Sequence, residues 1–333
     1  MNHRSPTRPS TRSPAQGEGK GLGLPTPLIG AAAVGLCSAA YVAMRVAAAE
    51  RKHPPTGRFV SARGARLHIV ERGEGPPLVL IHGNSSIGMD WLLSPVAKMA
   101  ARSHRVIVPD RPGYGYSTRP RGRAWGPEEQ ADALAEALGK MGVGRAIVVG
   151  HSWGAMVAAA LALNHPQMVR GLILEGGYLY PRPRADILMK APDALPLVGD
   201  LLRTTVSPLV HVALWPALAK LLCAPGEVPE QMWRLPPWLL FRPRALRAAA
   251  QEFATILPSA GRLAKRYAEI DQPLGIIGGR GDTFVSMKHH SVRLAHEMPQ
   301  ATFRSIEGAG HMSHHQAPEA MMEMIATIDR QSR

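Results

Sequence analysis

Residues 146–154 read Ala-Ile-Val-Val-Gly-His-Ser-Trp-Gly, and Gly150-His151-Ser152-Trp153-Gly154 fits the G-x-S-x-G pattern of a nucleophilic serine. The flanks supply what that pattern needs. Ile147, Val148 and Val149 form a β-branched run without a polar interruption, as expected of a strand covered on both faces. Residues 155–163 are strong helix formers. Strand, sharp turn and helix therefore meet at Ser152, with Gly150 and Gly154 leaving room for a strained backbone. A serine lifted clear of a sheet in this way sits beside the first amides of the helix, beginning with Trp153, where they face a developing oxyanion. A second amide comes from His82-Gly83-Asn84, directly after the apolar run 78–81. His82 itself reads as a hydrogen-bonded organiser of that loop.

The elements that must hold these residues can be read in order. Residues 58–72 look like two strands joined at Arg63-Gly64, with Leu67 and Ile69 alternating along the second. Buried strands follow at 78–81 and 106–108, the latter running into Asp110-Arg111-Pro112-Gly113-Tyr114-Gly115, where Asp110 is expected to satisfy loop amides. A helix is predicted over 127–141, with Pro127 at its start, Gly142 at its end and Leu134 and Leu138 on one face. Strands recur at 147–149, 172–174 (followed by Glu175), 273–277 (leading to Gly281-Asp282) and 302–306 (leading to Gly308-Ala309-Gly310-His311). Helices are predicted over 286–298 and 318–328. Such alternation implies a mostly parallel sheet with helices on both faces. Between 178 and 259 it stops, and a Pro-, Leu- and Trp-rich stretch reads as a helical insertion between two strands.

The chain has 333 residues, 45% hydrophobic, with 39 Lys and Arg against 25 Asp and Glu, a formal charge of +14. Such a charge invites a nucleic-acid reading, but no zinc pattern, helix-turn-helix or aromatic–basic alternation accompanies it. A basic surface facing anionic lipid fits better. Cys37 and Cys223 say nothing about redox compartment. Residues 1–23 are rich in Ser, Pro, Arg and Gly and read as a disordered basic tail. Residues 21–44, 24 in all, carry no charge and are long enough to span a bilayer. We read 24–46 as a transmembrane anchor, ahead of a cleaved signal peptide with its small-residue site at 47–49 and of a buried helix. The basic tail favours a cytoplasmic amino terminus and a catalytic body outside, although Arg45, Arg51 and Lys52 compete with it. Pro54 and Pro55 form a stiff linker. The organisation expected is thus a tail (1–23), an anchor (24–46), a core (57–177 and 260–333) and a cap (178–259).

From residue 57 onward the sequence resembles the α/β-hydrolase family. The matching features are His82-Gly83-Asn84, Asp110-Arg111-Pro112-Gly113-Tyr114-Gly115, the Ser152 turn, Gly281-Asp282 and Gly308-Ala309-Gly310-His311, in the family's order of Ser, Asp, His. The resemblance implies that the insertion is a cap and that Ser152, Asp282 and His311 form a triad. His311 would take the serine proton and return it to the leaving group, while Asp282 holds the imidazole tautomer. The amides of Asn84 and Trp153 would form the oxyanion hole, where one donor is typically worth about 2.7–4 kcal/mol. Glu175 rivals Asp282 as the acid, and His314 and His315 lie near His311. Asn84 and Trp153 also resemble the halide-binding pair of haloalkane dehalogenases, and the capped layout resembles epoxide hydrolases. Both use an aspartate nucleophile, however, and alkylating a serine gives an ether that water does not reopen. Acyl transfer to water remains, with no cofactor and no metal required. Hydrolysis of an apolar small-molecule ester comes first; carbon–carbon bond hydrolysis and cofactor-free perhydrolysis use the same triad. A tethered ligand receptor is the non-enzyme alternative.

Overall fold

A computed structural model describes Met1 and residues 26–183, 193, 195 and 197–333. The expected tail beyond Met1 (2–23), the first two positions of the expected anchor (24–25) and part of the insertion (184–192, 194 and 196) lie outside the described residues. The sheet has eight strands: β1 (Arg58–Ala62), β2 (Ala65–Arg72), β3 (Pro77–Ile81), β4 (Arg105–Pro109), β5 (Ala146–His151), β6 (Val169–Glu175), β7 (Leu274–Gly279) and β8 (Thr302–Ile306). Their spatial order is β1-β2-β4-β3-β5-β6-β7-β8. β2 pairs antiparallel with β1 and β4, and every other pairing is parallel.

Alternation along the central strands divides the core in two. Val79, Ile81 and Val148 face one layer, while Leu78, Leu80, Ile147 and Val149 face the other. The first layer is covered by α4 (Pro127–Lys140) and α5 (Trp153–Asn164). The second is covered by α2 (Gly88–Leu93), α3 (Pro95–Ala100) and the closing helix α12 (Pro318–Gln331). α5 is buried over nearly its whole circumference, which its Ala-rich sequence permits.

The insertion contributes α6 (Val198–Thr205), α7 (Ser207–Cys223), α8 (Pro237–Leu240) and α9 (Pro243–Ala264). Trp215, Leu235, Leu239 and Phe241 form its core, closed by Ile87 and Tyr114 from the body. Two of its prolines, Pro216 and Pro258, lie inside helices rather than in turns. α9 crosses position 260 unbroken, and its end delivers Ile256, Ala260 and Leu263 to the body's own core.

The helix predicted over 286–298 is split into a 3-10 turn (Met287–His289) and α10 (Ser291–Glu297). At the break, His290 Nδ1 accepts the amides of Leu179 and Tyr180 at 3.1 and 3.2 Å, tying this segment to the loop after β6. The remaining short helix, α11 (Ser313–Gln316), follows the His311 loop.

At the amino terminus α1 (Thr26–Lys52) is one helix of 27 residues. Among the described residues, its stretch Gly30–Lys52 is long and apolar enough to cross a membrane, a property that anchors share with signal sequences.

Candidate active site

The parallel strands end on one side of the sheet, where open α/β folds bind ligands. Ser152 stands there at φ 56° and ψ −117°, a backbone conformation strongly disfavoured for a residue with a Cβ. Its amide is tied to the carbonyl of Glu175 at 2.8 Å. The flanking glycines are sterically required: a Cβ on Gly150 would lie 2.3 Å from the Gly154 carbonyl oxygen, and one on Gly154 would lie 2.5 Å from that of Ile81.

His311, on the loop after β8, points Nδ1 at Asp282 Oδ2, 2.7 Å away. Asp282 Oδ1 accepts the amides of Phe284 and Val285 at 2.9 and 2.8 Å, which fixes the carboxylate. With Nδ1 engaged, Nε2 is the nitrogen left for proton transfer. The loop is braced from both sides: the His311 amide donates to Leu222 O in α7 at 2.7 Å, and the His311 carbonyl accepts from His151 Nε2 at 3.0 Å. That bond makes His151 the Nε2–H tautomer, and burial pushes its pKa down to about 3, so it stays neutral.

The rival residues face elsewhere. Glu175 accepts from Ser313 Oγ (2.5 Å), the His314 amide (2.7 Å) and His314 Nδ1 (3.0 Å). His315 Nε2 lies 2.8 Å from Asp90 Oδ1, and His314 Nε2 lies 3.4 Å from Asp90 Oδ2. Burial opposes charge on His314, but Glu175 and Asp90 outweigh it and hold the imidazolium to about 10. Glu175 is held down at about 2, against its burial, chiefly by His314. The four form a buried cluster of two carboxylates and two imidazoles. Among the described residues, Asp90, His151 and His314 are the group whose ligand atoms, all within 4.8 Å of one another, could hold a metal ion.

The His82–Asn84 loop is held by Arg111, which the sequence marks only as a member of Asp110-Arg111-Pro112-Gly113-Tyr114-Gly115. The Arg111 guanidinium donates to His82 O (2.8 Å) and Gly83 O (2.7 Å), and its amide donates to His82 Nε2 at 2.9 Å. In a trans peptide the N–H opposes the C=O, so clasping Gly83 O turns the Asn84 amide away from Arg111. Neither that amide nor the amide of Trp153 donates to another described residue. Gly83 also packs against Ser152, since a Cβ there would lie 3.1 Å from Ser152 Cβ. Burial and Arg111 push His82 down to about 4, so it remains a neutral organiser. Asp110 likewise accepts the amides of Gly88 and Tyr116, each at 2.8 Å.

The far side of Arg111 reaches Glu252 of α9, at 2.6 Å between Nη1 and Oε1. Glu252 Oε2 takes Tyr114 Oη at 2.7 Å and Asn84 Nδ2 at 2.8 Å. The Asn84 side chain is thereby committed to the cap, leaving its backbone amide for the site. Glu252 gave no signal in the sequence beyond being a lone acid in an Ala-rich helix.

Above these groups lies a cavity of about 550 Å³, within the range of small-molecule sites. Asn84, Ser152, Trp153 and His311 line its floor, and Leu214, Trp215, Leu218, Leu221, Phe253 and Ile256 line its walls. Among the described lining residues there is no Lys or Arg.

Residues 76–318 match the model of the alpha/beta hydrolase fold family, and the chain belongs to that family. Among curated relatives, a 2-hydroxymuconate semialdehyde hydrolase of Pseudomonas sp. (strain CF600) is 37% identical over 131 residues, 38% of this chain and 46% of that protein, so the match spans about half of that relative's length. Haloalkane dehalogenase 2 of Mycobacterium tuberculosis (strain ATCC 25618 / H37Rv) is 28% identical over 278 residues, 80% of this chain and 92% of that one. Among solved structures, a thermophilic esterase from Thermogutta terrifontis superposes with a TM-score of 0.65 at 24% identity, covering 83% of this chain and 99% of its own. The epoxide hydrolase CorEH gives 0.69 at 22%, covering 84% and 99%. At these identities the superpositions speak for the fold alone.

Proposed function

We propose that the chain is a membrane-associated serine esterase that hydrolyses apolar carboxylic esters through an acyl-Ser152 intermediate. The observation that carries this reading is that His311, paired with Asp282 at 2.7 Å, lines one apolar cavity with a serine held in a strained elbow. Ser152 Oγ attacks the ester carbonyl as His311 Nε2 accepts its proton, and Asp282 stabilises the resulting imidazolium. The carbonyl oxygen gains negative charge and is met by the amides of Asn84 and Trp153. His311 then gives the proton to the departing alkoxide. In the second half-reaction a water, deprotonated by His311, displaces Ser152 and releases the acid.

Serine at the nucleophile position counts against halide or epoxide chemistry, and so does the Asn84 side chain, which is tied to Glu252 rather than turned to a halide. Carbon–carbon bond hydrolysis is the second reading, favoured by the 37% match to the semialdehyde hydrolase. Against it, no described Lys or Arg lines the cavity to receive a carboxylate substrate. The test is turnover of p-nitrophenyl esters of graded acyl length beside a meta-cleavage dienol acid, with Ser152→Ala as control. Preference for medium-chain esters is expected. Cleavage of the dienol acid alone, or a clear preference for acetate esters, would contradict the proposal.

A further inference from the structure

The carboxyl half of α1 is docked on the cap. Ser38 Oγ donates to Thr205 O at the end of α6, 2.9 Å away. Tyr41 meets Trp238 edge-on with ring centroids 6.0 Å apart, and the Arg45 guanidinium lies 5.0 Å from the same indole. Val42 is buried, Ala49 packs on the cap core, and Glu50 Oε1 lies 2.5 Å from Arg242. Arg45, Tyr41 and Trp238 make the cation-and-aromatic belt expected where a helix leaves the hydrocarbon for the headgroups. Ser38 lies seven residues deeper, roughly 10 Å along the axis at 1.5 Å per residue. The α6–α7 corner is bonded at that depth, so α1 cannot enter a bilayer up to its belt without carrying the corner in with it.

The corner is built for such a setting. Leu201 is 63% exposed, and Val206, Val210 and Leu214 are exposed beside it, as Leu36 is on α1. Its polar groups are satisfied internally, as hydrocarbon demands. Thr204 Oγ1 and Thr205 Oγ1 donate to α6 carbonyls at 2.9 and 2.7 Å, Asp200 is paired with Arg203 at 2.6 Å, and His211 Nδ1 donates to Ser207 O at 2.8 Å. Exposed cations, Arg51, Lys52 and Arg234 among them, suit anionic headgroups. Leu214 and Leu221 of α7 are more than half exposed and also line the cavity, which places its wall at this surface.

We propose that the α6–α7 corner of the cap is a second membrane-contact surface, immersed in the leaflet that α1 enters, and that apolar substrate passes from the bilayer into the cavity along α7. The proposal rests on the reading of α1 as a retained membrane helix. Its test uses the full chain in phosphatidylcholine–phosphatidylglycerol vesicles, with Cys37→Ser and an environment-sensitive fluorophore on Leu201→Cys. The same label on Gly144→Cys, before β5 at the opposite end of the sheet, is the reference. Brominated lipid is expected to quench the label at 201 severalfold more than at 144. Equal quenching at the two positions overturns the proposal, and so does a label shielded from aqueous quencher yet untouched by brominated lipid, since a protein partner or second copy then covers the corner. In a separate variant, Leu201→Glu with Val206→Glu is expected to slow hydrolysis of a vesicle-dissolved ester severalfold while leaving a water-soluble ester unaffected. Unchanged rates on both overturn the entry route. Failure of the wild-type chain to cleave any ester would sink the esterase reading, but the quenching comparison would still decide the membrane contact.

Discussion

At Ser152 the backbone and the proposed chemistry pull against each other. A φ of 56° with ψ −117° costs about 1–3 kcal/mol for a residue bearing a Cβ. Ser152→Gly is therefore expected to raise the unfolding free energy by about 1 kcal/mol over Ser152→Ala, with both variants inactive on esters and unlabelled by a fluorophosphonate. Denaturant titration and probe labelling read the two halves separately, and labelling of either variant would remove Ser152 from its proposed role. The carboxylates separate in the same way. Asp282→Asn is expected to cut kcat by about 10⁴ through the wrong His311 tautomer, whereas Glu175→Gln, bonded to Ser313 and His314, should chiefly cost stability. A larger kcat loss in Glu175→Gln would reverse that assignment. The buried histidines also set how stability follows pH. His314 is held up to about 10 from an ordinary 6.5, so its contribution is complete below pH 6.5 and is lost as pH rises towards 10. His151 and His82 are pushed down to about 3 and about 4, so the unfolded chain takes up their protons first and stability falls as pH drops below 6.5. Thermal melts should peak near neutrality. His314→Gln should flatten the alkaline limb, and an unchanged limb would show that the imidazolium does not carry it.

At the scale of elements, the helical insertion is fastened to the His82–Asn84 loop by the buried Arg111–Glu252 pair. Burial opposes ionisation of Glu252, but Arg111 and Arg119 outweigh it. Glu252→Gln leaves the guanidinium buried without its charge, so a loss of about 3–5 kcal/mol is expected by chemical denaturation, with a fall in kcat as Asn84 loses its tether. A stability change within experimental error would show that the cap does not depend on this pair. No pattern in the sequence announces the pair, because Arg111 and Glu252 are 141 positions apart, the one reading as a member of a loop motif and the other as a lone acid in an Ala-rich helix. What the sequence does carry is periodic or sterically exacting. The apolar runs at 78–81, 106–108 and 147–149 became β3, β4 and β5, because strands buried on both faces admit little else. The turn at Ser152 was legible because glycine is the one residue that fits at 150 and 154. Contacts made through side chains of distant elements were not. His290 breaks the helix expected over 286–298 by accepting two amides from the loop after β6, and no local preference predicts that.

For the molecule as a whole, the proposed membrane attachment rests on α1, whose stretch Gly30–Lys52 is long and apolar enough to cross a membrane. The small residues 47–49 look in the sequence like a cleavage site, but α1 runs through them to Lys52 without a break. Val42, Ala49 and Glu50 of that helix are engaged with the insertion. Cutting at 47–49 would strip Val42 and the Tyr41–Trp238 contact from the cap, exposing apolar surface that the intact chain covers. The formal charge of +14 adds attraction for anionic lipid. That attraction is screened within about 8 Å at physiological salt, so it cannot hold the chain at high ionic strength. The proposed burial of α1 in hydrocarbon would not be screened. The protein is therefore expected to remain in the membrane fraction through high-salt and carbonate washes, with its amino terminus upstream of residue 44. Salt should change only how fast it associates with phosphatidylglycerol vesicles. Release by carbonate, or a mature terminus near Glu50, would show that α1 is not a retained anchor; release by salt alone would leave charge as the whole of the attachment.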